Sequence, residues 1–232
     1  MATVSQEISK NDEMYLGDNA HYFSCGANAF NEIQVTLGEL QPEKILDLPC
    51  GHGRVTRYLV ANYPSSEVFV ADLNEDGARF CKANFGTKML LSSTDFSTLN
   101  FGMAFDLIWV GSLITHLDAD TTKAFFGFVA RHLTARGRAV VTTHGALVAG
   151  RVMRRGASVY GIEAEEENAM CMDYFATGYG YRDYPNATSY GISICSEAWV
   201  RAAVEEVGLQ VVRFKNHAWD NHQDVYGLAL SN

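Results

Sequence analysis

The sequence predicts an α/β domain: a mostly parallel, seven-stranded sheet with helices on both faces and an antiparallel hairpin at its end. Three observations predict it. Strand-like and helix-like patterns alternate from about residue 43 to residue 145, as in a parallel sheet with crossover helices. The first strand runs into a glycine turn, "ILDLPCGHGR" (45–54). Near the end of the chain, two strands are separated only by "DNHQ", a link short enough for a hairpin.

The run Ile45–Leu48 has the length of a buried strand and is broken only by Asp47. Gly51 and Gly53 add little bulk, so a ligand can approach the backbone there. Val55, Leu59 and Val60 follow at helical spacing. Next come "EVFVADL", a strand ending at Asp72, the helical "EDGARFCKANFG", and "KMLLSSTDF", read as a strand running out at Asp95. "FDLIWVGS" is another buried strand. In the helix after it, Phe125, Val129 and Leu133 form an i, i+4, i+8 stripe. "GRAVVTTHG" makes a fifth strand. Residues 146–195 then show no sustained period, and are read as an acceptor-side insertion or lid on a domain spanning 41–232. Residues 1–40 are read as a helical cover. A last helix enters at Ser196 and stops at Gly208, before the strands "LQVVRFKNHAW" and "DVYGLALS".

A net charge of −9 over 232 residues argues against nucleic acid or an anionic membrane as the main partner. The one dense basic stretch is "RVMRR" (151–155). Five dispersed cysteines, with no C-x-x-C pair, read as reduced thiols of a cytoplasmic protein. No signal peptide and no apolar run of about 20 residues is evident. The sequon at Asn186 is taken as chance, and the acidic "EAEEE" (163–167) as a solvated helix start.

A strand, a glycine turn and a helix N-terminus form a nucleotide-binding unit. The dinucleotide fingerprint needs a third glycine where Thr56 stands, and a P-loop needs Lys then Ser or Thr where Arg54 and Val55 stand. A pyrophosphate would gain nothing from Asp47, whereas a cationic ligand would. S-adenosylmethionine carries an ammonium and a sulfonium but no phosphate, and Asp72 is placed to take ribose hydroxyls.

"ILDLPCGHG", Asp72, "STDF", "FDLIWVGSLITHLD" and "GRAVVTTHG", in this order, resemble the motifs of class I S-adenosylmethionine-dependent methyltransferases. The hairpin resembles that family's reversed seventh strand. A bacterial subgroup with "DLPCGHGR", "TTHG" and "WDNHQD" is more similar still. The resemblance covers roughly 40–145 and 196–231, and implies a Rossmann-like fold and methyl transfer to an oxygen or nitrogen of a small molecule or sugar. The alternatives are a cofactor-binding scaffold without turnover and, less favoured, a nicotinamide-dependent oxidoreductase.

The resemblance implies cofactor contacts at Asp47, Pro49, Cys50, Gly51, Gly53, Asp72, Leu73, Asp95, Phe96, Gly111 and Ser112. Pro49 stands where the family usually has glycine, and lacking an N–H it can only shape the loop. For Asp95 the competing role is a turn cap. His144, at a strand end on the ligand edge, is the first candidate base, His222 in the hairpin link the second, and His116 the third, with packing its favoured role. The rate is expected to rise through one step near pH 6–7 if such a base acts. Trp219, Asp220, Tyr184 and Tyr190 are candidate acceptor contacts. Tyr174, Phe175, Tyr179 and Tyr181 line either the same lid or a satellite cluster. Asp220, His222 and Asp224 also have metal-ligating side chains, but no metal is expected. The acceptor partner is a small molecule or glycan, and the oligomeric state, monomer or homodimer, is left open.

Overall fold

The computed structural model describes residues 3–155 and 160–231. Where the sequence turns apolar, β1 (Lys44–Asp47) forms with three of its four residues buried. On either side of it lie β2 (Glu67–Asp72), β3 (Lys88–Leu91), β4 (Phe105–Val110) and β5 (Leu133–Thr143), in the parallel order β3-β2-β1-β4-β5. β8 (Leu209–Trp219) and β9 (Gln223–Leu230) form the hairpin, and β9 pairs antiparallel with both β5 and β8. A link of residues 220–222 can join only antiparallel neighbours. β8 therefore runs in the direction of β5 and presents its end at the same edge.

Alternation along each strand decides what each face packs against. On β4, Leu107 and Trp109 meet α1 (Asn19–Leu37) and α2 (Thr56–Asn62). Ile108 and Val110 meet α4 (Ala119–His132) and α7 (Glu197–Glu205). Phe125, Phe126 and Phe128 of α4 are fully buried, and each stabilises the fold by about 1.5–3 kcal/mol. Asp118 caps α4 through Thr121 N (2.7 Å), and Ser196 caps α7 through Trp199 N (3.2 Å). α3 (Glu75–Phe85) packs behind the glycine turn through Ala78, Cys81 and Phe85.

Three expectations are corrected. β3 ends at Leu91, well before Asp95. Asp95 N donates to Ser93 Oγ (3.1 Å) while Asp95 Oδ1 accepts from Ser97 N (3.0 Å), so local side-chain bonds displace the ladder. In the N-terminal cover, helix is confined to 19–37. Residues 3–18 form an irregular strap, held by Arg57 Nη1, which donates to Ser5 O (3.1 Å) and Glu7 O (2.8 Å). Residues 146–195 contain α5 (Ala146–Arg155), α6 (Ala164–Thr177) and a separate hairpin of β6 (Tyr179–Asp183) and β7 (Gly191–Cys195). Two of its glycines answer to close packing: a Cβ on Gly180 would lie 2.0 Å from Met170 O, and one on Gly191 1.9 Å from Arg182 O. Part of this segment, 156–159, lies outside the described residues.

Candidate active site

The C-terminal ends of β1, β2, β4 and β5 share one edge of the sheet. There the chain leaves β1 through a cis Leu48–Pro49 peptide into the glycine turn. Cys50 N donates to Ala71 O (3.1 Å) and Gly51 N to Asp72 Oδ2 (2.7 Å), which bind the turn to β2. Gly51 and Gly53 both have positive φ, 50° and 80°. Their roles differ. A Cβ on Gly51 would meet nothing within 4 Å, so this position faces open space. On Gly53 it would lie 2.4 Å from the Phe85 ring and 2.9 Å from Cys81 Sγ, so this glycine serves packing against α3. Gly77, which sequence reasoning missed, lets α3 approach the turn: its Cβ would lie 2.3 Å from Gly51 O. A glycine inside the helical "EDGARF" was the available signal.

Asp47 is 1% exposed. Its Oδ2 accepts from Thr56 Oγ1 at 2.6 Å, and its Oδ1 is buried with no partner among the described residues. Burial pushes its carboxyl up to about 7, against the Thr56 hydrogen bond, and the nearby Asp72 raises it further. Thr56 therefore occupies the place of a third glycine with a hydroxyl that the carboxylate uses. A partnerless buried carboxylate oxygen at the head of an open backbone turn suits a cationic ligand group. Asp72, partly exposed, also accepts from Asn74 N (2.8 Å), and Leu73 beside it is 61% exposed. Ser112, at φ 59°, donates from its N to Thr142 Oγ1 (2.9 Å). Gln223 joins these two strand ends, donating to Ser112 Oγ (2.7 Å) and accepting from Thr142 Oγ1 (2.6 Å). Gly111 leaves room for Trp109 and Trp219, 2.9 and 3.0 Å from where its Cβ would be.

Several expected cofactor contacts face elsewhere. Asp95 caps its turn, with Oδ1 also accepting from Ser97 Oγ (2.5 Å) and Oδ2 from Thr98 Oγ1 (2.8 Å). Phe96 is turned into the core against Phe125, ring centroids 5.0 Å apart. The Cys50 thiol is buried and directed at Gly51 O (3.4 Å). Pro49 is partly buried and shapes the turn.

The three candidate histidines lie near one another. His116 Nδ1 is 2.8 Å from Gly191 O, and its ring stacks on Tyr190 (5.1 Å) beside Tyr184 (5.9 Å). His144 is buried, with Nδ1 3.2 Å from Ser193 O and its ring 5.0 Å from that of His222. A carbonyl only accepts, so both Nδ1 atoms carry the hydrogen and both Nε2 atoms keep a lone pair. His222 has the opposite tautomer, because Arg151 Nη1 donates to its Nδ1 at 2.6 Å. Burial lowers His116 below the usual imidazole range. Burial, then the neighbouring His222 and His116, hold His144 down to about 3. Burial and the Arg151 charge lower His222.

The hairpin link is divided between two neighbourhoods. Trp219, expected as an acceptor contact, is 4% exposed, packs edge-on against Trp109 (5.4 Å) and donates Nε1–H to Cys25 O (3.0 Å). Asp220 turns to α1, where its N donates to Asn28 Oδ1 at 2.7 Å. Asp224 is buried elsewhere and accepts from His217 N (2.9 Å). Asp220, His222 and Asp224 thus have separate partners. Tyr174 and Tyr184 join a satellite cluster around Met170 and Ile194.

Residues 45–137 match the family model described as "Methyltransferase domain". Among solved structures, an S-adenosylmethionine-dependent methyltransferase from Clostridium acetobutylicum ATCC 824 is similar at 16% identity and TM-score 0.63, covering 90% of this chain and 92% of its own. The glycopeptide N-methyltransferase MtfA is similar at 12% identity and TM-score 0.60, covering 89% and 90%. The mitomycin 7-O-methyltransferase MmcR is similar at 14% identity and TM-score 0.57, covering 88% of this chain and 54% of its own. No curated protein matches. The fold is that of the Rossmann-like, class I methyltransferases, a class of enzymes whose cofactor is S-adenosylmethionine. Over residues 45–137 the chain is similar to the family model for a methyltransferase domain, and the fold is shared along nearly all of it. No helix among the described residues is long and apolar enough to cross a membrane.

Proposed function

We propose that this protein is an S-adenosylmethionine-dependent methyltransferase acting on an oxygen or nitrogen of a small molecule or sugar. The observation that carries this reading is the partnerless, buried Oδ1 of Asp47 beside the open face of Gly51. When bound, S-adenosylmethionine supplies a methyl group activated by its sulfonium. Asp47 holds the cationic methionine end, Asp72 the ribose hydroxyls, and the exposed Leu73 covers the adenine. Gly111 and Ser112 border the methionine portion. Tyr184 and Tyr190 flank the acceptor, and the Nε2 lone pair of His144 or His116 takes the acceptor's proton. The fold neighbours named for N- and O-methylation agree with either acceptor atom. The hydroxyl of Thr56, bonded to Asp47, weighs against the nicotinamide alternative. The scaffold alternative predicts binding without turnover.

An acceptor screen that detects S-adenosylhomocysteine tests the reading, and thermal melts with S-adenosylmethionine against a nicotinamide cofactor separate it from the oxidoreductase. Asp72→Ala is expected to weaken S-adenosylmethionine binding by about 1.5–3 kcal/mol for each charge-assisted hydrogen bond removed. Unchanged affinity in calorimetry would take Asp72 out of the site.

Alanine at the acting histidine should lower turnover about 10²–10⁴-fold and leave cofactor affinity within a few-fold. Both alanine variants turning over at the wild-type rate would mean an acceptor that arrives already nucleophilic. Since burial lowers all three histidines, the pH–rate profile should show no histidine step between pH 6 and 8. A step found there that survives Asp47→Asn would reverse this assignment.

A further inference from the structure

Three potential metal ligands from opposite ends of the chain meet outside the histidine cluster. His21 and Cys25 lie one turn apart on α1, and Asp220 lies in the hairpin link. Cys25 Sγ is 3.5 Å from His21 Nε2, and that nitrogen is 3.7 Å from Asp220 Oδ2. All three ligand atoms lie within 4.8 Å of one another. Zinc bonds of about 2.3 Å to sulfur and 2.0–2.1 Å to nitrogen, at tetrahedral angles, separate those two atoms by about 3.5 Å. That is the spacing found. Nitrogen and oxygen ligands would be about 3.3 Å apart, a few tenths of an ångström closer than here. The half-exposed Asp220 side chain can make that adjustment.

The frame around the trio is clamped from both sides. Trp219 Nε1 donates to the carbonyl of Cys25 itself, and Asp220 N donates to Asn28 Oδ1, one turn further along α1. Asp220 and Asn221 are held at φ 54° and 50°, a left-handed conformation that non-glycine residues seldom adopt. The donor set is equally specific. Mg²⁺ and Ca²⁺ prefer all-oxygen sites, whereas a thiolate, an imidazole and a carboxylate together suit zinc and its tetrahedral relatives. A thiolate and a carboxylate also balance a divalent charge.

We propose that His21, Cys25 and Asp220 form a three-ligand site for a zinc-class divalent ion, with solvent at the fourth position, fastening α1 to the hairpin link. On binding, the Cys25 thiol releases its proton to solvent and its sulfur forms the metal bond. This departs from the expectation of no metal, and it is independent of the methyltransferase reading. The ion would brace Trp219, which packs at Gly111 on the end of β4.

The test is a titration of the metal-stripped full-length chain with Co²⁺, followed by absorption, and with Zn²⁺, followed by calorimetry. One ion per chain should bind, with a thiolate-to-cobalt charge-transfer band. Losing an outer-sphere partner alone costs about 10–100-fold in metal affinity, so His21→Ala and Asp220→Asn should each cost at least about tenfold. Both side chains are about half exposed, 49% and 44%, so these variants should fold. Cys25→Ser should lose the band. Absence of stoichiometric binding would overturn the proposal, as would affinity that both surface variants leave unchanged. So would a band that persists in Cys25→Ser, since another thiol would then be the ligand.

Discussion

Asp47→Asn is expected to make the protein more stable at neutral and alkaline pH while weakening its hold on S-adenosylmethionine. Burial raises the Asp47 carboxyl to about 7, well above the ordinary aspartate value of about 3.9. The folded state therefore favours the neutral form. The stability this contributes is complete below about pH 4 and is lost as the pH rises through about 7. Asparagine never ionises, so its advantage over the wild type should grow across that window and level off above it. At about 1.4 kcal/mol per pH unit, the gain at pH 8 is a few kcal/mol, read as a higher midpoint in thermal or urea unfolding.

Binding should move the other way. A cationic ligand group needs the ionised carboxylate, so wild-type affinity should fall by about tenfold per pH unit below 7. Affinity of the asparagine variant should be lower at pH 8 and nearly flat with pH. Calorimetry between pH 5.5 and 8.5 reads both slopes. A wild-type affinity that does not change across that range would remove Asp47 from contact with the cofactor. A stability gain in the variant with unchanged binding would leave it as a purely structural carboxylate.

The second large effect separates the two glycines of the turn. Gly53→Ala should destabilise the fold by about 2–5 kcal/mol. The Cβ would overlap the Phe85 ring and Cys81, an overpacking cost of about 1–3 kcal/mol, and the left-handed backbone adds roughly 1–2 kcal/mol. Phe85→Leu in the same chain should recover part of the loss, because it removes the closest ring atoms. Gly51→Ala carries the backbone cost alone, since its Cβ meets nothing within 4 Å. Its main effect should be weaker cofactor binding. Urea midpoints and calorimetry on the two variants give opposite rankings under this view. Equal loss of stability at both positions would mean that the turn acts as one packed unit with no ligand-facing side.

The alternation of strands and helices, the glycine turn and the terminal hairpin were all legible, because each rests on contacts close in sequence or on a simple period. Ser196 and Gly208 bracketed the last helix for the same reason. Strand β3 was read too long because Ser93 and Asp95 offer the backbone local partners that a periodicity argument does not weigh. The β6–β7 hairpin was missed because Gly180 answers to Met170 of α6 and Gly191 to Arg182 on the paired strand, contacts that no period within the segment signals. The site was legible in part. Asp47, Gly51 and Asp72 stand where the strand ends predicted, at one edge of the sheet. Gly77, Gln223 and Arg57 were not found, and Thr56 was read only as a missing glycine, since each acts through a contact that only folding creates.

By itself, the sequence determined the order and type of the sheet elements, the placing of the acidic strand ends and the turn between them. Those follow from side-chain period and backbone freedom. Only the tertiary structure decided which face each residue shows. It turned Trp219 and Phe96 into the core, left the Nε2 lone pair on His116 and His144 while Arg151 took the Nδ1 lone pair of His222, and brought Asp220 to His21 and Cys25. Which residue is buried, and against what, depends on the packing of segments distant in the chain, and burial sets both the proton affinity and the reach of every polar group in this site.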